Sequence, residues 1–262
     1  MLVGRASELV NTAMCYETWS ALGWADIKYR YRRTTIGPFW LTISTAAMVG
    51  SVGLVFAGLF GNDISEYIPY LGAGIIVWTL ISATVLEGCN VFVAASGYIK
   101  SVPMPLTTHV YRMIFRNLII FTHNLLLVII LWCIFQWPLG WDVIVGLGGL
   151  AIIVVALIGV VLLLGTLCAR FRDIPQIIAA LMQLLFLLTP IIWMPDAIKS
   201  ERAHLVVDWN PLYYLLEVVR GPLLGRPPSA WVWIIAIVLA LASFAAGSSF
   251  YLRFRHRIAY WL

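Results

Sequence analysis

Six stretches of this chain, 38–60, 68–86, 117–137, 143–169, 174–194 and 230–252, run for 19 to 27 residues without an Asp, Glu, Lys or Arg. Each is long enough to cross a hydrocarbon core of about 30 Å as a helix, which takes about 20 apolar residues. Their apolar residues follow one another continuously, without the periodic spacing of a half-buried soluble helix or strand. The alternation of a membrane-barrel strand is also missing, and a bilayer accepts a backbone only as helix or closed barrel. The chain therefore reads as all-α and polytopic, with six transmembrane helices. Composition agrees: 62% of the 262 residues are hydrophobic and 11% charged, against about 45–50% and about 25% in soluble domains. Twelve tryptophans and eleven tyrosines suit the boundary between bilayer and water, where their amphipathic rings settle.

The basic residues set the orientation. If residues 1–37 lie in the cytosol, the inner segments hold Arg5, Lys28, Arg30, Arg32, Arg33, Lys100, Arg112, Arg116, Arg170, Arg172, Arg253, Arg255 and Arg257, thirteen of the seventeen Lys and Arg. The two short outer loops carry Asp63, Glu66 and Asp142 and no base. The excess of basic residues on cytosolic loops then puts both termini inside. Nothing near the N-terminus reads as a cleavable signal, because residues 1–37 lack an apolar core ahead of a small-residue site. They are read as a cytosolic arm, and 38–262 as one membrane domain.

The other four basic residues lie in 195–229, where Lys199, Arg202, Arg220 and Arg226 are matched by Asp196, Glu201, Asp208 and Glu217. A 35-residue outer segment is much longer than most connections. Within it "WNPLYYLLEVVRGPLLG" predicts a helix over 211–220, with Asn210 as N-cap, Pro211 at the first position and Gly221-Pro222 as the stop. Leu212, Leu215, Leu216 and Val219 share one face, and Tyr213, Glu217 and Arg220 another. Such a helix either dips back between the spans or lies flat on the membrane.

Chemistry-bearing motifs are mostly absent. There is no G-x-x-x-x-G-K-[ST], so the chain is not expected to hydrolyse nucleotides; "GPLLGRP" at 221–227 lacks the lysine. No H-E-x-x-H, G-x-S-x-G or D-x-D occurs, and His109, His123, His204 and His256 are too scattered to hold a metal. Cys15, Cys89, Cys133 and Cys168 show no C-x-x-C pairing and read as small apolar packing residues. The predicted spans hold no formal charge; their polar residues include His123, Asn124, Gln176, Gln183 and several Ser and Thr, which argues that energy for transport comes from another subunit. Gln176 and Gln183 fall on one helix face, suited to hydrogen bonding between helices.

Against this background "RYRRTTIGPFW" at 30–40 stands out. Nucleic acid is not its partner, since Gly37-Pro38 launches a span directly from the cluster. Arg30, Arg32 and Arg33 have two readings. They fix the N-terminus inside and touch lipid phosphates, or they also receive a substrate phosphate with the planar fork that lysine lacks.

Three motifs, "ADIKYRYRRTTIGPFW" (25–40), "RDIPQIIAALMQLLFLLTPIIW" (172–193) and "NPLYYLLEVVRGPLL" (210–224), resemble in order and spacing the membrane subunit of ABC-type polysaccharide exporters, the Wzm-like family that exports O-antigen, capsule and teichoic acid. The resemblance covers nearly the whole chain. It implies a permease of a bacterial inner membrane, not an enzyme, with a second copy of itself forming the channel and a separate ATPase binding ATP and magnesium. No cofactor is implied for this chain. The substrate would be a glycan on a polyprenyl diphosphate. The arm up to Tyr31 would be an amphipathic interface helix anchored by Trp19 and Trp24. Ala25 stands where the family often has Arg, so the resemblance supplies no ion pair for Asp26.

The resemblance also gives loops their roles. In the inner loop 88–112, "GYIKSVPMPL" would dock on the ATPase through Tyr98, Ile99, Lys100, Pro103 and Pro105; otherwise it is an ordinary connector. The segment 195–229 would be the outer gate. Sugar rings stack on aromatics, so Phe39, Trp40, Phe56, Trp78, Phe186, Trp193, Tyr213 and Tyr214 are channel or gate candidates, with Glu217 and Arg220. The competing assignments are an ABC permease for drugs or small lipids and a membrane-bound glycosyl- or acyltransferase.

Overall fold

The charge-free stretches are largely helical, and several of the helices run beyond them. A computed structural model describes residues 3–37, 39–138, 140–195 and 201–262. Pro38, at the start of the first predicted span, and Asp196 and Lys199 of the predicted outer segment lie outside the described residues. The described elements are α1 (Val3–Met14), α2 (Tyr16–Tyr31), α3 (Phe39–Phe60), α4 (Ile64–Cys89), α5 (Val91–Ala94), α6 (Ser96–Ser101), α7 (Thr107–Phe135), α8 (Asp142–Arg170), α9 (Ile174–Leu188), α10 (Glu201–Asp208), α11 (Pro211–Leu223) and α12 (Ala230–Trp261).

Five of these helices, α3, α4, α7, α8 and α12, are long and apolar enough to cross a membrane. The fifth predicted stretch, 174–194, differs: α9 is apolar but has 15 residues, about 22 Å at 1.5 Å per residue. Its helix stops because a residue before proline is pushed out of the α region. Thr189, ahead of Pro190, is extended at ψ 135°.

Buried α4 forms the centre. It packs against α3, α7, α8, α9 and α11, and its buried face runs from Tyr67 to Cys89. Around it, α3, α7, α8 and α12 turn Leu54, Ile129, Leu147 and Leu241 outward, as expected of helices bathed in lipid rather than water. The most extensive pairing is α8 with α12. These two cross so closely at Gly159 and Gly247 that a Cβ on Gly247 would strike the Gly159 backbone, and one on Gly159 the backbone of Ser243 and Phe244.

The basic residues gather at one end. There α1 touches the start of α7, with Tyr111 Oη donating to the Leu9 carbonyl at 3.2 Å and Thr107 Oγ1 to Thr12 Oγ1 at 3.0 Å. It also touches the end of α12, where Glu8 pairs with Arg255 and accepts from Tyr251 Oη at 3.0 Å. At the opposite end Asp63 caps α4 by accepting from the Ser65 N–H at 2.9 Å, a bond that holds its carboxyl below the ordinary carboxylate range. Glu66 pairs with Arg226 there at 2.6 Å.

Three local expectations change. The arm is two helices broken at Cys15, and α2 packs on α7. Trp19 edges against Phe115 at 5.5 Å rather than reaching outward, while Trp24 is exposed. The inner connection is shorter than 88–112, because α4 runs to Cys89 and α7 starts at Thr107. Finally, α11 continues through Gly221-Pro222 to Leu223; the chain turns at Gly225, whose φ of +69° favours a residue without Cβ.

Candidate functional site

The basic motif sits at the mouth of a cleft. Helix α2 ends at Tyr31, and after a turn α3 begins with Phe39 beside His123, ring centres 5.8 Å apart, about four turns into α7. Between them Gly37 takes φ +62°, a left-handed backbone that other residues adopt at a cost. A cleft of about 770 Å³ opens beside this step, lined from the end of α2, the start of α3, α4 and α7. Its walls include Arg30, Arg33, Thr34, Thr35, Trp40, Thr79, Glu87, Asn117 and Asn124. Its volume falls in the range of about 300–1,000 Å³ typical of small-ligand sites.

The cleft's polar groups are held by neighbours. Asn117 Nδ2 donates to Thr84 Oγ1 at 3.3 Å, and Thr42 Oγ1 to Asn124 Oδ1 at 3.3 Å. At the mouth Arg30, 48% exposed, donates to Glu87 at 3.5 Å, the outer limit of a hydrogen bond. Arg33 is exposed and lines the cleft, whereas Arg32 does not. The three arginines are thus divided, two toward the cleft and one away.

Below the mouth lies an ion-pair network that residue-by-residue reading missed. Asp26 on α2 accepts from Arg112 Nε at 2.7 Å and from Arg116 Nη1 at 3.2 Å, and Arg116 Nη2 donates to Glu87 at 2.6 Å. The missing partner for Asp26, inferred from Ala25, is therefore supplied from α7. The available signals were Asp26 with Arg30 and Arg112 with Arg116, each one helical turn apart and so on one face. Counting bases for orientation left their partners unassigned.

Of the docking segment, α6 ends at Ser101 and Pro103 follows. Tyr98, Lys100, Pro103 and Pro105 are exposed; Ile99 is half-buried, packed toward α7 and α12. Tyr98 lies under the Arg112 guanidinium, 5.3 Å from ring centre.

The remaining predicted residues form a second cluster at the other end. Helix α11 is packed into the bundle: Tyr214, Leu215, Leu216, Val218, Val219 and Arg220 are buried, among α4, α8 and α12. Its N-terminus is fastened by Asn210, whose side chain accepts from the Leu212 N–H at 3.0 Å and donates to Thr189 Oγ1 at 2.9 Å. Arg220 is 1% exposed. It pairs with Glu217, donates to the Pro190 carbonyl at 2.6 Å, and lies 4.1 Å from the Tyr70 ring centre. Tyr213 and Tyr214 meet edge to face at 5.4 Å. Trp78 is buried against Phe186 at 5.6 Å, and Trp193 Nε1 donates to the Leu187 carbonyl at 3.0 Å. The structure therefore brings Arg30, Arg33 and Trp40 together, and separately Glu217, Arg220 and the aromatics around α11. Gln176 and Gln183 are exposed on α9.

Residues 17–224 match the family pattern of the ABC-2 type transporter membrane domain. The chain belongs to that family. The ABC-2 match runs from α2 through α11 and so takes in both clusters. Membership makes it the membrane subunit of a transporter, paired with an ATPase subunit, and not an enzyme. Among its relatives is the O-antigen export system permease protein RfbA of Myxococcus xanthus, 23% identical over 229 residues, 86% of this chain and 88% of that protein. Two RfbA proteins of Klebsiella pneumoniae are 21% identical over 71% of this chain and 72% of theirs, and 20% identical over 87% and 90%.

Proposed function

We propose that this ABC-2 subunit forms the channel for a polyprenyl-diphosphate-linked polysaccharide, of O-antigen or capsular type, across a bacterial inner membrane. One observation carries the reading: the cleft at the start of α3 places two arginines at its mouth and Thr, Asn and Trp along its wall. Guanidinium forks match diphosphate oxygens with paired, charge-assisted hydrogen bonds, hydroxyls and amides match sugar hydroxyls, and Trp40 offers a face to a sugar ring. A drug permease needs no such arginine pair. The O-antigen permease relatives support the glycan class.

The rest of the architecture follows from this role. Helix α9 with its extended continuation is the sixth crossing, since it starts just after Arg170 at the basic end and its far end meets Tyr70, whose hydroxyl donates to the Pro190 carbonyl at 2.9 Å. Both termini are cytosolic, with α1 and α2 on the membrane surface, and α11 is a re-entrant helix at the outer gate. A polymer passes only if a second copy completes a channel, because the cleft holds one headgroup. The ATPase binds ATP and magnesium and docks on α6 through Tyr98, Ile99, Lys100, Pro103 and Pro105.

The deciding experiment deletes the gene and locates the lipid-linked glycan. Accumulation of full-length glycan on the cytosolic face is expected. A missing or shortened glycan would instead point to a transferase, and normal surface glycan would remove the assignment.

A further inference from the structure

Two clefts flank one carboxylate. Glu87 lines the cleft at the start of α3 and also a second one of about 460 Å³, whose wall includes Asp26, Tyr98, His109, Arg112 and Arg116. On the first side its Oε1 accepts from Arg30 at 3.5 Å; on the second its Oε2 accepts from Arg116 at 2.6 Å. Arg116 goes on to Asp26 at 3.2 Å. Asp26 is gripped by Arg112 through Nε at 2.7 Å and through Nη2, and Arg112 lies over Tyr98. An unbroken series of charged contacts, drawn from α2, α4 and α7, thus joins the cleft mouth to exposed α6.

The contacts along it are unequal, and the inequality gives it a direction of response. Arg30 is held by the weakest bond. A phosphate oxygen that accepts from Arg30 at an ordinary charge-assisted distance of about 2.7–2.9 Å outcompetes a carboxylate at 3.5 Å. Glu87 then keeps one cation, Arg116, and draws it harder. Arg116 is also the donor of the long bond to Asp26, so that bond is the next to yield. The network has somewhere to go: Arg116 Nε and His109 Nδ1 are both buried without a hydrogen-bond partner among the described residues, and His109 is 3% exposed. Buried polar groups are seldom left so. Beside two carboxylates, an orphaned guanidinium N–H provides a second bonding pattern at little cost.

We infer that Glu87 is a positioning residue that reports occupancy of the headgroup cleft to the ATPase-facing segment, by releasing Arg30 and holding Arg116 as its one remaining cation. The inference rests on the headgroup reading of that cleft. Coupling between two sites is reciprocal: movement of α6 by the ATPase changes, by the same factor, how readily Arg30 is surrendered to phosphate.

The test uses the complex of this chain with its ATPase in lipid vesicles, with farnesyl diphosphate as the probe. Probe binding and the ratio of stimulated to unstimulated ATP hydrolysis are measured for wild type and Glu87→Gln. Removing the counter-ion frees Arg30, so the variant is expected to bind the probe at least as tightly as wild type. Its stimulation ratio is expected to fall by about fivefold or more, the lower range of measured allosteric couplings. A purely structural role would lower binding and stimulation together. If the Gln variant fails to accumulate, Glu87→Asp, which keeps the charge but shortens the reach, and Asp26→Asn, which cuts the series further along, are expected to split the two readouts in the same way. Wild-type stimulation in any of these folded variants overturns the relay. A wild-type complex that does not bind the probe overturns the headgroup reading instead, and the two failures stay distinct.

Discussion

Glu217 and Arg220, one helical turn apart on α11, form an ion pair whose arginine is sealed from solvent. On an exposed helix such a pair is worth about 0.2–0.5 kcal/mol. Here Arg220 also holds the Pro190 carbonyl, so Arg220→Ala leaves the Glu217 carboxylate without its cation and the Pro190 carbonyl with the Tyr70 hydroxyl alone. Breaking a buried pair costs about 3–5 kcal/mol. Arg220→Ala is therefore expected to lower the detergent-solubilised melting temperature and the amount of folded protein. Replacing both partners, Glu217→Leu with Arg220→Met, is expected to recover most of that loss, since the uncompensated charge is gone. A single variant as stable as wild type would show that the pair is solvated after all.

The arginines of the basic motif are expected to separate by position. Arg30→Lys and Arg33→Lys each preserve the charge that orients the chain but lose the planar fork. Each is expected to weaken diphosphate-probe binding by about tenfold, or about 1.4 kcal/mol, with normal abundance and topology. Arg32→Lys, away from the cleft, is expected to bind like wild type. Equal behaviour of all three in the binding assay would return the motif to orientation and lipid contact alone.

Tyr98 is 49% exposed on α6, where the proposed docking of the ATPase would cover it. Tyr98→Glu is expected to insert normally yet to separate ATP hydrolysis from glycan export in a reconstituted complex. Export at the wild-type rate per ATP hydrolysed would make the segment a connector.

Purified alone, the chain is expected to show only background ATP hydrolysis in a phosphate-release assay, because it has no phosphate-cradling loop and no P-loop lysine. Turnover that co-purifies with the chain and survives removal of contaminating ATPases would sink the division of labour with a partner.

The membrane helices were legible because charge is excluded from lipid, and its absence over 20 residues leaves few alternatives. Asn210-Pro211 marked the start of α11 because capping is local chemistry. The end of α9 was also readable, from Thr189-Pro190, yet hydropathy runs smoothly through that step and hides it. The Asp26, Arg112, Arg116 and Glu87 network was not legible in the same way. Its members are 86, 90 and 29 residues apart in their pairings, and only the docking of α2 and α4 on α7 brings them together. Burial of Arg220 was hidden for a related reason: the periodicity of α11 shows an apolar stripe, but three neighbouring helices cover the polar face as well.

The bond between α1 and α12 joins Glu8 to Tyr251 and Arg255 across 243 and 247 residues. A ribosome adding about 5–20 residues per second takes roughly 12–50 s to make the second partner after the first. Throughout that time the earliest helix has its carboxylate waiting for a cation not yet synthesised. The final helix therefore acts as a clasp: until it arrives α1 is only half fastened, and a chain truncated before residue 251 has its earliest helix without the Tyr251 and Arg255 contacts to Glu8.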